Sequence, residues 1–162
     1  MCIRDRPVSV FFISTGAAAE GVPSGFAYAQ GTRFMLDGSP FYYAGTNCYY
    51  LTFKSHDAVD NVFKDAEAMG LKVIRVWGNL DVGVKTGTTD SEGKPVFTNN
   101  NDGPGEKDGI YFQYFDKALG KPVTNFGEDG IKKLDYALYQ AEKHGIKLLI
   151  TFTNYWLSLI HI

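Results

Sequence analysis

Cysteine is almost missing from this chain. The 162 residues hold only Cys2 and Cys48, too few for a disulfide framework or a thiolate metal site. One bridge between the two is the single covalent option, and an unbridged, packed Cys48 is the preferred reading. Positive charge is not in surplus either: 16 Lys and Arg stand against 18 Asp and Glu, a formal charge of -2. With no basic face for a phosphate backbone or an anionic bilayer, neither nucleic acid nor a membrane is expected as a partner. Histidine is scarce, and neither His56 nor His144 has a second ligand at metal spacing, so no metal site is expected. No Gly-x-Ser-x-Gly motif and no cysteine with a plausible base appears, which removes the common nucleophile signatures.

What is present is an apolar share of 44% with 15% aromatic residues, the composition of one globular domain with a real core. Two segments share a plan. Ala68-Met69-Gly70-Leu71-Lys72-Val73-Ile74-Arg75-Val76-Trp77 and Lys143-His144-Gly145-Ile146-Lys147-Leu148-Leu149-Ile150-Thr151-Phe152 each read as a helix that ends at a glycine and runs directly into a buried strand. Each strand then finishes in polar and aromatic residues. Parallel α/β enzymes build their sites at such strand ends.

Residues 26–30 and 32–36 alternate as strands, and Asp37-Gly38-Ser39-Pro40 is a turn signal, so a hairpin is expected first. Residues 41–47 read as the first core strand, with Gly45 allowing close backbone approach and Asn47 at the carboxyl end. Ser55 suits the cap of a helix with the stripe Val59, Val62, Phe63, Ala66 and Met69. Residues 71–77 read as a strand covered on both faces. Residues 79–127 read as a long functional loop. A second stripe, Ile131, Leu134, Leu138 and Ala141, precedes the third strand at 146–152.

Alternating strands and helices imply a parallel α/β sheet. Three strands could open either a doubly wound sheet or a barrel, and the barrel is favoured because no glycine-rich phosphate turn follows any strand. The Thr98-Asn99-Asn100-Asn101-Asp102-Gly103 stretch lacks an acidic first calcium ligand and is read as a solvated turn.

Arg75, two residues from a strand end among aliphatics, needs acceptors to offset its desolvation, and reads either as an orienter of a catalytic carboxylate or as a structural ion pair. Asn47, Asn154 and Trp156 lie at or beyond strand ends. Neutral amides with aromatic faces suit an uncharged, polyhydroxylated ligand, and capping or packing is the alternative. Tyr49 and Trp77 join the substrate-binding candidates, again with packing as the alternative.

Several blocks taken together resemble one family. Phe41-Tyr42-Tyr43-Ala44-Gly45-Thr46-Asn47-Cys48-Tyr49-Tyr50-Leu51, Gly70-Leu71-Lys72-Val73-Ile74-Arg75-Val76-Trp77-Gly78, Gly109-Ile110-Tyr111-Phe112-Gln113, and the run from Leu134-Asp135-Tyr136 to Thr153-Asn154-Tyr155-Trp156 are similar to successive blocks of bacterial endo-β-1,4-mannanases of glycoside hydrolase family 5. The resemblance implies the N-terminal part of a (β/α)8 TIM barrel, about three βα units preceded by a β-hairpin. It also implies secretion, no cofactor, β-mannan as the polysaccharide partner, and retaining hydrolysis by two glutamates. Arg75 matches the family arginine beside the nucleophile, Asn47 and Asn154 match cleft positions, and Trp156 matches a sugar-stacking residue. Tyr155 departs from the family, which usually has a second asparagine there. Glu20, Glu67, Glu92, Glu106, Glu128 and Glu142 fall in helices, loops or the leader, so neither catalytic glutamate has a counterpart and the fragment alone is expected to be inactive.

Residues 8–19 read either as the end of a signal peptide, a short apolar run followed by small residues, or as a loosely packed N-terminus, since the basic start of such a signal is missing or altered. Residues 1–6 and 157–162 resemble translated sequencing-adapter tails. The expected organisation is therefore 1–25 as an artefactual start plus a signal remnant, 26–156 as a partial catalytic domain, and 157–162 as an artefactual tail. Two alternatives stand beside the mannanase: a non-catalytic carbohydrate-binding module, and a family 5 β-glucanase of the cellulase type.

Overall fold

The computed structural model describes residues 21–98 and 108–152. The chain divides into two compact units, Met1–Tyr42 and Tyr43–Ile162. In the first, β1 (Ala27–Gln30), β2 (Arg33–Leu36) and β3 (Ser39–Pro40) form an antiparallel meander. Asp37 and Gly38 both take positive φ, 47° and 80°, the conformation of a tight hairpin turn that follows the strand twist. The Asp37 carboxylate also accepts from the Gly25 N–H at 2.8 Å and the Ser24 hydroxyl at 3.0 Å. The expected hairpin is there.

The second unit is built on three parallel strands, β4 (Gly45–Asn47), β5 (Val73–Trp77) and β10 (Lys147–Thr151), with β5 in the middle. Helix α1 (His56–Ala68) links β4 to β5. Ser55 caps it by accepting from the Ala58 N–H at 3.3 Å, as its hydroxyl and position lead one to expect. Helix α2 (Lys132–Lys143) leads into β10. The two helix-to-strand units agree down to their hydrogen bonds. Gly70 (φ 71°) and Gly145 (φ 63°) end the helices in the left-handed region. Leu71 N–H then reaches Ala66 O at 2.9 Å and Ile146 N–H reaches Ala141 O at 2.8 Å, while the glycine N–H groups bond Glu67 O and Glu142 O. This paired closure satisfies the last helical carbonyls and aims the chain back at the sheet.

The core lies where α1 and α2 meet one face of that sheet: Val59, Phe63 and Ala66 from α1, Ile74 and Val76 from β5, and Ala141 and Ile146, with Cys48 and Leu51. Three expectations are corrected here. Strand β5 is covered on one face only: Ile74 and Val76 are fully buried, whereas Arg75 is exposed and Val73 and Trp77 are half-buried. Alternate residues point away from the helices, and on that side Tyr49 packs against Trp77 while Arg75 stays exposed. Met69, expected in the α1 stripe, is 73% exposed, and Leu138 is exposed while Ala137 and Gln140 are buried in its place. The first core strand is shorter than 41–47, because only Gly45, Thr46 and Asn47 pair with β5.

The stretch read as a loop is a second sheet, which is the largest departure. Strands β6 (Asp81–Thr89), β7 (Pro95–Thr98), β8 (Gln113–Asp116) and β9 (Lys121–Thr124) run in the order β7-β6-β8-β9. Thr86, Thr88 and Thr89 are β-branched and so favour strand, but they are polar and exposed, which hides the apolar alternation that marks a half-buried strand. Aromatic packing among Phe97, Tyr111 and Tyr114, with Val82, holds this sheet together. Leu80, Ile110 and Phe112 join Phe53 and Leu134 in a second core cluster. Asn125 then turns the chain toward α2: its Nδ2 donates to Tyr111 O at 3.2 Å and to Asp129 at 3.1 Å, and its carbonyl accepts from Ile131 N–H at 2.9 Å.

Gly78 follows β5 directly against β10; a Cβ there would stand 2.3 Å from Ile150 Cγ2 and 3.3 Å from Thr151 O. Gly78→Ala is therefore expected to lower stability by about 1–3 kcal/mol through overpacking. A second change, Ile150→Ala, should recover part of the loss in chemical denaturation. No loss in the single variant would refute this contact.

Candidate functional site

The carboxyl ends of β4, β5 and β10 gather the candidate residues. Asn47 and Arg75 are register partners across β4 and β5. The Arg75 Nη1 donates to Asn47 Oδ1 at 3.4 Å, a long and therefore weak bond. Both side chains are exposed. The expectation that Arg75 is desolvated is thus corrected: it lies on the exposed face of the sheet, and its acceptor is a neutral amide. Among the described residues no carboxylate pairs with it within 4.0 Å.

Tyr49 and Trp77 are brought together as one aromatic surface. Their ring centroids are 5.1 Å apart at 50°, within the range where aromatic pairs attract. Tyr49 also meets Tyr50 edge-on at 5.6 Å and Phe53 at 6.0 Å. Tyr49 is 42% exposed and Trp77 half-buried, so each combines packing with an accessible edge. Packing, one of the two readings posed above, is seen in this pair. Asn154 and Trp156 lie outside the described residues, as do Cys2, residues 8–19 and most of the Asn-rich stretch at 98–103.

Behind this surface stand polar groups that the sequence did not single out. The Thr52 hydroxyl, fully buried, donates to Trp77 O at 3.1 Å, and Thr151 Oγ1 donates to Val76 O at 3.3 Å. Asn79 is 2% exposed beside them. Threonine and asparagine at strand ends were the available signal, but Asn79 reads from sequence as the start of a loop. Lys54, in the connection after β4, pairs with Asp108 at 2.7 Å and lies 5.2 Å from the Phe53 ring centroid, tying that connection to the segment leading into β8.

The remaining titratable groups serve the helices. Tyr136 donates to Asp60 at 2.6 Å, and its hydroxyl pKa is held above the usual value by that carboxylate. His56 stacks on the same ring at 3.7 Å. His144 Nδ1 lies 2.6 Å from Glu67, joining the ends of the two helices. Beside the cleft, burial pushes the Cys48 thiol pKa up against the opposing hydrogen bonds of Tyr50 and Leu51; the Cys48 contact in turn raises Tyr50.

Strands β4, β5 and β10 carry no carboxylate in their Gly45–Asn47, Val73–Trp77 and Lys147–Thr151 spans, so these ends can bind and orient but cannot supply a carboxylate for proton transfer. An amide, a guanidinium and aromatic edges fit an uncharged ligand rich in hydroxyls. They also fit the support of a carboxylate supplied from elsewhere.

No family model matches the chain. It is 43% identical over 132 residues to the probable mannan endo-1,4-β-mannosidase F of Aspergillus oryzae, covering 81% of this chain and 24% of that protein. The mannan endo-1,4-β-mannosidase F of Aspergillus clavatus is 40% identical over 143 residues, covering 86% and 28% respectively. The endo-1,4-β-mannanase of Rhizomucor miehei superposes with a TM-score of 0.57 and 32% identity over 77% of this chain and 29% of that one. The endo-β-1,4-mannanase of Thermotoga petrophila gives 0.51 and 28%, over 72% and 21%. The chain thus spans about a quarter of the length of the curated relatives it matches.

The resemblance to family 5 endo-mannanases is borne out, and the mixed α/β fold matches part of the TIM-barrel fold of such enzymes. The bacterial label attached to that resemblance is not supported, because these curated relatives are fungal.

The raised thiol pKa means a smaller thiolate fraction than in a free cysteine near pH 8, and the thiolate is the reactive form. In a Cys2→Ser chain, iodoacetamide is expected to alkylate Cys48 far more slowly at pH 8 than after unfolding in urea. Mass spectrometry reads the extent. Equal rates in both conditions would contradict the buried placement.

Proposed function

We propose that this chain supplies the first three βα units of a secreted family 5 endo-β-1,4-mannanase, with 26–156 as the portion belonging to the catalytic barrel. The observation that carries the reading is the 43% identity over 132 residues to a mannan endo-1,4-β-mannosidase. Residues 8–19, read as the end of a signal peptide, support secretion.

In this reading the uncovered face of β4, β5 and β10 is turned to the barrel interior and their carboxyl ends to the cleft. A retaining glycosidase sets two carboxyl groups on either side of the scissile bond, one as nucleophile and one as acid/base. Both glutamates belong to strands beyond this sequence. Arg75 stands beside the nucleophile, where a nearby positive charge favours the ionised, attacking form. Asn47 holds the guanidinium in place from the neighbouring strand. Tyr49 and Trp77 offer aromatic faces to the C–H faces of mannose rings, and Asn154 and Trp156 extend the same lining. No cofactor is required by this chemistry.

A non-catalytic binding module would use the same aromatic strand ends, but the relatives are named as hydrolases, and that alternative is not favoured. A family 5 β-glucanase shares the Arg75 block, and the names of the relatives speak for mannan.

Affinity electrophoresis in galactomannan is expected to retard the purified chain, and Trp77→Ala should weaken retention about fivefold, the loss of one stacked ring at about 1 kcal/mol. Carboxymethylcellulose should retard it less. A reducing-sugar assay on locust-bean gum should show no turnover by the chain alone. Turnover would refute the placement of both glutamates outside it, and absence of retardation would refute the mannan-binding role.

A further inference from the structure

The end of β5 has an unusual restraint around Trp77. Thr151 Oγ1 lies 3.3 Å from Val76 O and 3.4 Å from Asn79 Oδ1, so one hydroxyl meets the chain both before and after the Trp77-Gly78 dipeptide. Gly78 N–H donates to Thr151 O at 2.8 Å. A hydroxyl carries one proton and can donate to only one of its two neighbours at a time. Exchanging the oxygen and nitrogen of the Asn79 amide resolves this: Nδ2 then donates to Thr151 Oγ1 while the hydroxyl donates to Val76 O.

Asn79 is 2% exposed and, among the described residues, its Nδ2 has no partner as placed. An apolar residue of the same shape would remove the burial cost of the unpartnered atom, so filling the space does not require an amide. The amide does supply what Gly78 lacks. A glycine has no side chain to restrain the backbone after Trp77; beyond its N–H bond to Thr151 O, the side chain that next meets β10 is Asn79.

Building on the mannan-cleft reading, we propose that Asn79 is a positioning residue: through Thr151 it clamps the chain on either side of Trp77-Gly78 against the end of β10, and so sets the attitude of Trp77 toward the bound sugar. Asn79 touches no ligand in this role. Thr52, which holds Trp77 O from the opposite side, completes the bracket.

The test uses the full 162-residue chain with Asn79→Leu, Thr151→Val, their double variant and Thr151→Ser, which keeps the hydroxyl. One readout is the dissociation constant for β-1,4-mannohexaose by calorimetry. The other is the indole ¹⁵N–¹H resonance of Trp77 in the ligand-free chain, assigned with Trp77→Phe. Each apolar single variant should weaken binding about fivefold, with the double no weaker than the worse single, because the two side chains act as one unit. Both should move the Trp77 resonance alike, and Thr151→Ser should restore resonance and affinity together. An unmoved resonance in Asn79→Leu, or additive effects in the double variant, would overturn the proposal. If the parent chain does not bind mannohexaose, the mannan reading fails, and the resonance still decides the clamp. If Asn79→Leu does not fold, the Thr151→Val and Thr151→Ser pair decides it: a shift in the first that is restored in the second supports the clamp, and no shift refutes it.

Discussion

The burial of one face of a parallel sheet by two glycine-terminated helices is the constraint on which the other features depend. Ile74 and Val76 are fully sealed beneath Phe63, Val59 and Ala66, and because side chains alternate along a strand, sealing them turns Arg75 and Trp77 to the opposite side. A slip of one residue would place the guanidinium in the core, where its desolvation could not be met. The position of the candidate site is therefore a consequence of packing on the face away from it. The register of β4 follows from the same requirement, since Asn47 meets Arg75 only while Gly45 lies against Val73.

Much of this second unit was legible in the sequence because its signals are strong and local. A capping serine, an apolar stripe, a glycine and a β-branched run appear in order, and each does physically what its residue type suggests, from Ser55 on Ala58 to the left-handed Gly70 and Gly145. The sheet spanning Asp81–Thr89 to Lys121–Thr124 was not legible. Its strands are polar on their exposed sides, and they are held by a few aromatic residues widely separated in sequence, so no window of ten residues shows a pattern. Burial of a strand on both faces was over-read for a related reason: a continuous aliphatic run shows that a strand can be buried, and only the tertiary arrangement shows which of its faces is.

The site shows the same division. Arg75, Asn47, Tyr49 and Trp77 were found because strand ends can be located from the strands. The buried Thr52 and Asn79 and the half-buried Thr151 were not, since their importance lies in three-dimensional contacts between residues 25 to 75 positions apart. The proposed reaction type rests on homology over a quarter of the relatives' length. No carboxylate lies on the three parallel strands seen here.

The outer edges of β4 and β10 are unpaired among the described residues, with β5 alone between them, and Leu149 stands half exposed on the open face. Free backbone donors and acceptors in a row are a template that accepts another strand in a defined alignment. The sheet is accordingly a template for strand addition: an incoming strand would be recognised through main-chain pairing first, with side-chain fit on the open face proofreading the match.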